Sequence, residues 1–418
     1  MTDTIDATVS GLGHAGDGLI QDKTRTLFVP WTVTGDRVRV RTDDGPRAAL
    51  VEVLSPSVDR IEPVCRHFGD CGGCVAQHFN DATYDAWRKE QILRSLQKQG
   101  FEEPPVENVI GTQQSARRRA TMAWRRVQGD IAVGFRARGT HRIVNMTMCS
   151  ALLPEIVAAL CHLRDLAARL ESAGRFDITA CDNGLDVTIE QKREPTLTMR
   201  DAITEFASTG HIARVSWRAG QGGAPDLVIQ HQRPVATISG IPLVLPPGTF
   251  LQPSVPGEIA LQNLVDTLTG EAKRAADLFC GCGTLTLALA QRCHVTAVDS
   301  DAHAIDALRA AAGSAGARGR SISVHAVTRD LYRQPLSESE VKPYDVVVFD
   351  PPRAGAAAQA ALLASSKVPR IVAVSCNPGT FARDARILVD GGYALRRVVP
   401  VDQFVWSQHI EVAALFER

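Results

Sequence analysis

From about residue 245 onwards the chain repeats one pattern: a short apolar run, a turn, then an alanine-rich stretch of helical length. The runs are Ala275-Ala-Asp-Leu-Phe279, His294-Val-Thr-Ala-Val298, Ser321-Ile-Ser-Val324, Asp345-Val-Val-Val-Phe349 and Arg370-Ile-Val-Ala-Val374. Each has the length of a buried strand. Parallel strands need long crossovers, usually helices, so the alternation predicts an α/β fold with a doubly wound, Rossmann-like parallel sheet. Ligands of such sheets bind outside the carboxyl ends of the strands. The residues that follow each run are therefore the first candidates for a site.

A chain of 418 residues is long enough for two or three domains. Its 44% hydrophobic and 22% charged residues are the balance of a soluble globular protein. Forty-six Lys+Arg cancel forty-six Asp+Glu, so any binding of a polyanion must come from local patches. The start, Met1 to Asp6, is acidic and lacks the basic-then-apolar pattern of a signal peptide. No stretch approaches the ~18 apolar residues of a membrane span. Membrane, secreted and disordered classes are excluded on these grounds, and a cytoplasmic monomer is expected. Ten cysteines in such a chain are not a disulfide scaffold and need another explanation.

Residues 1 to 57 read as short strands separated by glycines, the spacing of a small OB-like barrel. Arg37, Arg39 and Arg41 alternate with Val38 and Val40, which sets three arginines on one strand face. Residues 58 to 244 form a central α+β region. It opens on Cys65, Cys71 and Cys74, followed by an amphipathic helical stretch from about Asp81 to Gln99. Between 111 and 145, eight arginines (117, 118, 119, 125, 126, 136, 138, 142) face one acid, Asp130, a local net charge of 8 − 1 = +7. Arginines interleaved with Trp124 and Phe135 suit RNA phosphates and stacked bases. One helix is expected from Leu153 to about Ser172. Residues 245 to 418 hold the predicted parallel sheet.

Asp277-Leu-Phe-Cys-Gly-Cys-Gly-Thr284 lies between a strand and a helix, so its glycines form the turn at the first strand's carboxyl end. The dinucleotide fingerprint fails because Thr286 stands where its third glycine belongs, and no Gly-Lys-Ser/Thr follows to make a P-loop. The turn that remains is the one class I methyltransferases use for S-adenosylmethionine. Asp299, ending the second strand, suits the ribose hydroxyls, and Asp330, after the third, suits the adenine.

Asp350-Pro-Pro-Arg353 closes the fourth strand; Arg353 in place of an aromatic argues against amino-group methylation. The fifth strand ends Ala373-Val-Ser-Cys-Asn-Pro378, which presents Cys376 to the crevice. Carbon 5 of uracil is a poor nucleophile, but a thiolate adding at carbon 6 turns the ring into an enolate able to attack a methyl donor. The carbon 5 proton must then leave to a general base. Glu411, in His409-Ile-Glu-Val412 of the last strand, is the candidate, with His409 on the same face as a positioning residue.

Almost the whole chain resembles the RNA uracil-5-methyltransferases, which make 5-methyluridine in tRNA and 23S rRNA. The resemblance runs through Ser55-Pro-Ser-Val-Asp-Arg60, Cys71-Gly-Gly-Cys74 with Gln77-His78, Leu278-Phe-Cys-Gly-Cys-Gly283, Asp350-Pro-Pro-Arg-Ala-Gly355, Ser375-Cys-Asn-Pro378 and His409-Ile-Glu411. It implies that the barrel is a TRAM domain and that Gln252 contacts S-adenosylmethionine. It further implies that Phe279, Thr284, Asp299, Asp330 and Asp350 occupy the other cofactor or active-site positions. Thr284 stands where the family usually has Asn, and Pro-Ser follows Gln252 where an Asn is common two residues on. Cys65, Cys71, Cys74 and Cys149 offer four thiolates, and spacing alone leaves zinc and an iron–sulfur cluster both open. The resemblance implies a [4Fe-4S] cluster. The remaining five cysteines are assigned to packing. Competing readings are an RNA methyltransferase acting at another base position, which would not need Cys376, a radical methylthiotransferase, whose C-x3-C-x2-C triplet is missing, and a non-catalytic RNA-binding assembly factor.

Overall fold

The computed structural model describes residues 3–22, 25–220, 222–319 and 322–418. Met1, Thr2 and Ser321, which the readings above touch, lie outside them. The N-terminal segment is β1 (Asp3–Thr8), β2 (Gly11–Leu12), β3 (Gly18–Asp22), β4 (Arg25–Val29), β5 (Arg37–Thr42) and β6 (Ala48–Ser55). Two three-stranded antiparallel sheets, β1-β5-β6 and β2-β3-β4, close over a core that includes Val9, Ile20, Leu27, Val38 and Val40. The alternation in β5 behaves as expected: its valines are buried and its arginines face outward. Arg39 is nevertheless committed, gripping Asp6 through two hydrogen bonds of 2.7 and 2.9 Å.

Next come α1 (Asp81–Gln97) and β7 (Ile110–Gly111), then β8 (Arg119–Val127), β9 (Asp130–Gly134), α2 (Pro154–Ala158), α3 (Leu160–Arg169), β10 (Ala173–Cys181), β11 (Gly184–Gln191), α4 (Leu197–Ala207), β12 (Ile212–Ala219), β13 (Asp226–Gln230) and the hairpin β14 (Val235–Ile238) and β15 (Ile241–Val244). A six-stranded sheet, β13-β12-β11-β10-β8-β9, carries α2 to α4 on a shared core with Trp124, Phe176 and Trp217. The single helix expected over 153–172 is two, α2 and α3, meeting at Ala159. The sequence reading missed α4, although Thr196 caps it by accepting from the Met199 N–H.

The C-terminal segment is α5 (Val255–Thr269), β16 (Arg274–Leu278), α6 (Thr284–Leu289), β17 (His294–Asp299), α7 (Ala302–Ala317), β18 (Ser323–Thr328), α8 (Glu338–Val341), β19 (Val346–Phe349), α9 (Ala357–Ser365), β20 (Arg370–Ser375), α10 (Pro378–Asp390), β21 (Ala394–Asp402) and β22 (Glu411–Glu417). All five predicted strands are present. The sheet order is β18-β17-β16-β19-β20-β22-β21-β7. Strands β16 to β20 run parallel, and β22 inserts antiparallel between β20 and β21. This is the class I methyltransferase arrangement. The order reverses between β16 and β19, and a crevice opens there at the carboxyl ends. Because β22 is antiparallel, its first residue, Glu411, lies at that same edge. Residues before the predicted sheet also join it: β7 pairs with β21, and Ile92 and Leu96 of α1 enter its core.

Candidate active site

The turn after β16 sets the floor of the crevice. Phe279 has a left-handed backbone at φ 60°, an expensive conformation for a side chain of this size, and Gly281 and Gly283 follow at φ 55° and 96°. Glycine suits 283 because its φ would strain a side chain, and a Cβ there would also fall 2.5 Å from Leu308 Cδ1 and force that side chain to shift. The backbone N–H of Gly281 donates to Asp299 at 2.9 Å and that of Asp301 at 2.8 Å, one to each carboxylate oxygen. Each oxygen keeps a lone pair for a ligand. Asp330 is held differently, with the Tyr332 and Arg333 N–H groups both donating to its Oδ1. The Phe279 and Tyr332 rings stand 5.4 Å apart in the same cavity. Below them, Asp277 is fully buried, accepts from Thr286 Oγ1 at 2.5 Å, and is pushed up to about 7 by burial.

A cavity of about 530 Å3 gathers the predicted residues: Gln252, Phe279, Thr284, Asp299, Asp330, Asp350, Cys376 and Glu411 all line it. Thr284 begins α6 and its carbonyl accepts from Gln262 Nε2. The Pro-Ser after Gln252 has a local explanation, because Ser254 caps α5 by accepting from the Gly257 N–H at 3.1 Å. Cys376 follows β20 directly and is half-buried. Burial and the Glu411 and Asp350 carboxylates push its thiol up to about 11. Glu411 is 3% exposed. Burial raises its carboxyl and that of Asp350 well above the usual carboxylate range, and Asp350 raises Glu411 further. The crevice therefore sets a thiol against two acids that hold protons near neutrality, which is the range a general base needs.

His409 departs from the expectation. Strand β22 begins at Glu411, so His409 sits in the bend before it rather than on a shared strand face. Burial and the arginines Arg353, Arg117 and Arg88 push it down to about 4, and as a neutral ring it faces Arg353 Nη2 at 3.0 Å. Sequence reasoning also missed Gln403. Its side chain, 2% exposed, donates to Glu411 and to Gln252, each at 2.8 Å. No local pattern marks it, since both partners come from other elements.

The four cysteines Cys65, Cys71, Cys74 and Cys149 line a second cavity of about 610 Å3, together with Arg117, Arg136 and Arg138, and His409 lines both cavities. Burial raises Cys71 and Cys149, and Cys74 is pushed up to about 12; the neighbouring thiols add to each. Against this, the Gly73 N–H points at Cys71 Sγ at 3.4 Å, and Cys149 receives backbone N–H groups of Ala151 and Leu152. Among the described residues, no three or more His, Cys, Asp or Glu side chains are arranged to hold a metal ion. Of the other five cysteines, Cys280, Cys282 and Cys293 are buried as expected, whereas Cys161 is exposed on α3.

The arginine run is not the free patch its sequence suggests. Arg118 is buried, pairs with Glu258 at 2.5 Å and donates to the Gln252 carbonyl. Arg138 pairs with Asp17 at 2.6 Å, and Arg142 pairs with Asp70. These three acids, remote in sequence, leave 7 − 3 = +4 on the segment, and Arg117, Arg119 and Arg126 make no ion pair among the described residues. Arg125 and Arg136 remain exposed without an ion pair among the described residues.

The C-terminal 245–418 matches the family described as tRNA (uracil-5-)-methyltransferase. An RNA methyltransferase of Caulobacter vibrioides is 40% identical over 99% of this chain and 100% of its own length. The 23S rRNA (uracil(1939)-C(5))-methyltransferase of Halomonas elongata is 31% identical over 98% of this chain and 89% of its own. The chain belongs to the RNA uracil-5-methyltransferase family. A solved structure shares the fold of this family member: the tRNA (uracil-54, C5)-methyltransferase of Pyrococcus abyssi in complex with S-adenosyl-L-homocysteine. It is 21% identical, with a TM-score of 0.76 over 98% of this chain and 99% of its own. Membership makes the chain an RNA methyltransferase, and no helix among the described residues is long and apolar enough to cross a membrane.

Proposed function

We propose that the protein uses S-adenosylmethionine to methylate carbon 5 of a uridine in structured RNA through a covalent Cys376 adduct. The observation that carries this reading is the meeting of Cys376 and Glu411 in the cavity that also holds the Gly281 turn, Asp299 and Asp330. When bound, S-adenosylmethionine supplies an electrophilic methyl group and a positive charge beside three acidic groups. Asp299 would accept from its ribose hydroxyls, Asp330 and Phe279 would hold the adenine, and Gln252, Thr284 and Asp350 of the same cavity would hold the reacting end. Cys376 loses its proton to solvent and adds to carbon 6 as the thiolate, so that carbon 5 gains the electron pair that takes the methyl as the donor's carbon–sulfur bond breaks and S-adenosylhomocysteine leaves. Glu411 removes the carbon 5 proton, the carbon 5–carbon 6 double bond re-forms, and the thiol leaves. Asp350 and the neutral His409 orient the base.

Residues 1–57 serve in this reading as a TRAM-type RNA-binding barrel, 58–244 as the cysteine-bearing central domain and 245–418 as the catalytic domain. The preferred substrate is 23S rRNA, supported by the Halomonas elongata relative, with tRNA the other outcome of the test. Incubating the purified protein with labelled donor and either RNA, then digesting the RNA for mass spectrometry, should yield 5-methyluridine. Methyl label on an amino group or another ring position would overturn the reading.

Cys65, Cys71, Cys74 and Cys149 would hold a [4Fe-4S] cluster. Four thiols share one cavity, and backbone N–H groups aimed at two of them offset part of the burial that holds them protonated. Protein purified without oxygen should carry iron and sulfide in equal amounts. Stoichiometric zinc without iron would refute the cluster.

A further inference from the structure

Gln403 stands just behind the wall of the catalytic cavity and ties its two sides together. Its Nε2 donates to Glu411 Oε2 and to Gln252 Oε1, each at 2.8 Å, and Gln252 Nε2 in turn donates to Asp350 Oδ2 at 3.4 Å. The order of these bonds is set by chemistry. When Glu411 is ionised, the form in which it can act as a base, its carboxylate only accepts, and the Gln403 amide nitrogen is the group that serves it. That same nitrogen then takes the Gln252 oxygen, and the Gln252 N–H2 is left facing Asp350. Gln403 Oε1 has no hydrogen-bond partner among the described residues, a cost the structure bears to keep the amide in this orientation.

Gln403 has little room to move. Arg88 of α1, fully buried, donates to Asp402 Oδ1 at 2.8 Å and to the Phe404 carbonyl at 3.0 Å, clamping the backbone on both sides. Tyr84 Oη reaches the other Asp402 oxygen, and Thr112 Oγ1 its carbonyl, both at 2.5 Å. The Gln403 side chain lies against the first turn of α5 at Gly257, where a Cβ would fall 2.4 Å from Gln403 Cβ. Glycine is required there by this close approach.

We propose that Gln403 is a positioning residue for the proton-removal step: it presents Glu411 to the cavity as an acceptor and fixes the Gln252 amide towards Asp350, without itself touching RNA or methyl donor. The inference rests on the reading of Glu411 as the base. The charged and titratable groups around Glu411 are Asp350 beyond β19, Cys376 beyond β20, Arg353 and His409 at the cavity mouth, and the Arg118–Glu258 pair behind Gln252. Asp350 and burial oppose ionisation of Glu411, and the Gln403 N–H group favours it.

The test follows release of tritium from carbon 5 of [5-3H]uridine-labelled RNA in single turnovers across pH. Gln403→Met keeps the side-chain length and removes both donors. It should move the acidic limb of the profile up by about one pH unit, the scale of one hydrogen bond to a charged group. The rate should recover at high pH, and covalent capture of 5-fluorouridine RNA by Cys376 should proceed as in the parent. Gln403→Leu, which also removes the amide, should move the limb in the same direction and serves if the first variant fails to fold. A rate lowered evenly at every pH, with the limb in place, would reduce Gln403 to a packing role and overturn the proposal. Glu411→Gln, run in parallel, separates the two ideas: tritium release that survives it refutes the base itself, whatever Gln403 does.

Discussion

Replacing Cys376 with alanine should abolish methyl transfer to RNA and leave no covalent complex with the 5-fluorouridine substrate. Loss of a covalent nucleophile lowers turnover by ~10^4–10^6-fold, because the remaining groups can bind and orient but cannot make carbon 5 nucleophilic. The substitution is mild for the fold. Cys376 lies after the strand and is half-buried, and the following Asn377 caps α10 through its own side chain, accepting from the Gly379 N–H at 3.0 Å. Melting temperature should therefore change little while activity vanishes. Methylation at an undiminished rate would eliminate the covalent route and return the choice to a methyltransferase acting at another base position. An adduct formed without Cys376 would point to Cys280 or Cys282, the other thiols lining the same cavity.

Replacing Glu411 with glutamine should fail in a different place. The variant retains an acceptor for Gln403 and removes a charge that burial disfavours, so the fold should be at least as stable as the parent. Cys376 loses a neighbour that raises its thiol, and addition to carbon 6 should not slow. Methyl transfer should also proceed. Proton removal should not: loss of a general base costs ~10^2–10^4-fold, and a methylated RNA–protein adduct should accumulate, resistant to denaturant and released by nuclease as a nucleotide-bearing protein. If the adduct turns over at the parent's rate, another group takes the proton. For the parent, the sign of the pH dependence follows from the raised carboxyl. Glu411 is a base only when ionised, so proton removal should rise with pH through and above neutrality, where an ordinary glutamate would already be flat.

The position of these groups also explains why the cysteine region and the crevice belong together. Val75 and Ala76, immediately after Cys74, both donate their N–H groups to the Trp406 carbonyl, at 2.7 and 3.2 Å. Trp406 lies in the same 402–410 segment as Gln403 and His409. Its left-handed backbone, φ 61°, is held by these bonds and by its own N–H, which donates to Tyr84 Oη at 2.8 Å. The segment that shapes the catalytic cavity is thus supported by α1 on one side and by the cysteine loop on the other.

The features that rest on local pattern could be read from the chain alone. Apolar runs alternating with helical stretches gave five of the strands, and a glycine-bearing turn after the first gave the cofactor side of the crevice. Cys376 was legible because a cysteine directly after a buried run must emerge at a strand end, and Asp299 and Asp350 for the same reason. What pairs residues far apart in the chain was not legible. The insertion of β22 antiparallel between β20 and β21 brings Glu411 beside Cys376, and no run of residues states that order. The Arg88–Asp402 pair that clamps Gln403 spans 314 positions. The arginines between 117 and 142 looked like a free polyanion site because Asp17, Asp70 and Glu258, which neutralise three of them, lie outside the segment. Helices and strands follow from hydrogen bonds and side-chain periodicity within a few residues. Ion pairs and sheet order depend on which distant surfaces the packed core brings within reach, and no window of neighbouring residues encodes that.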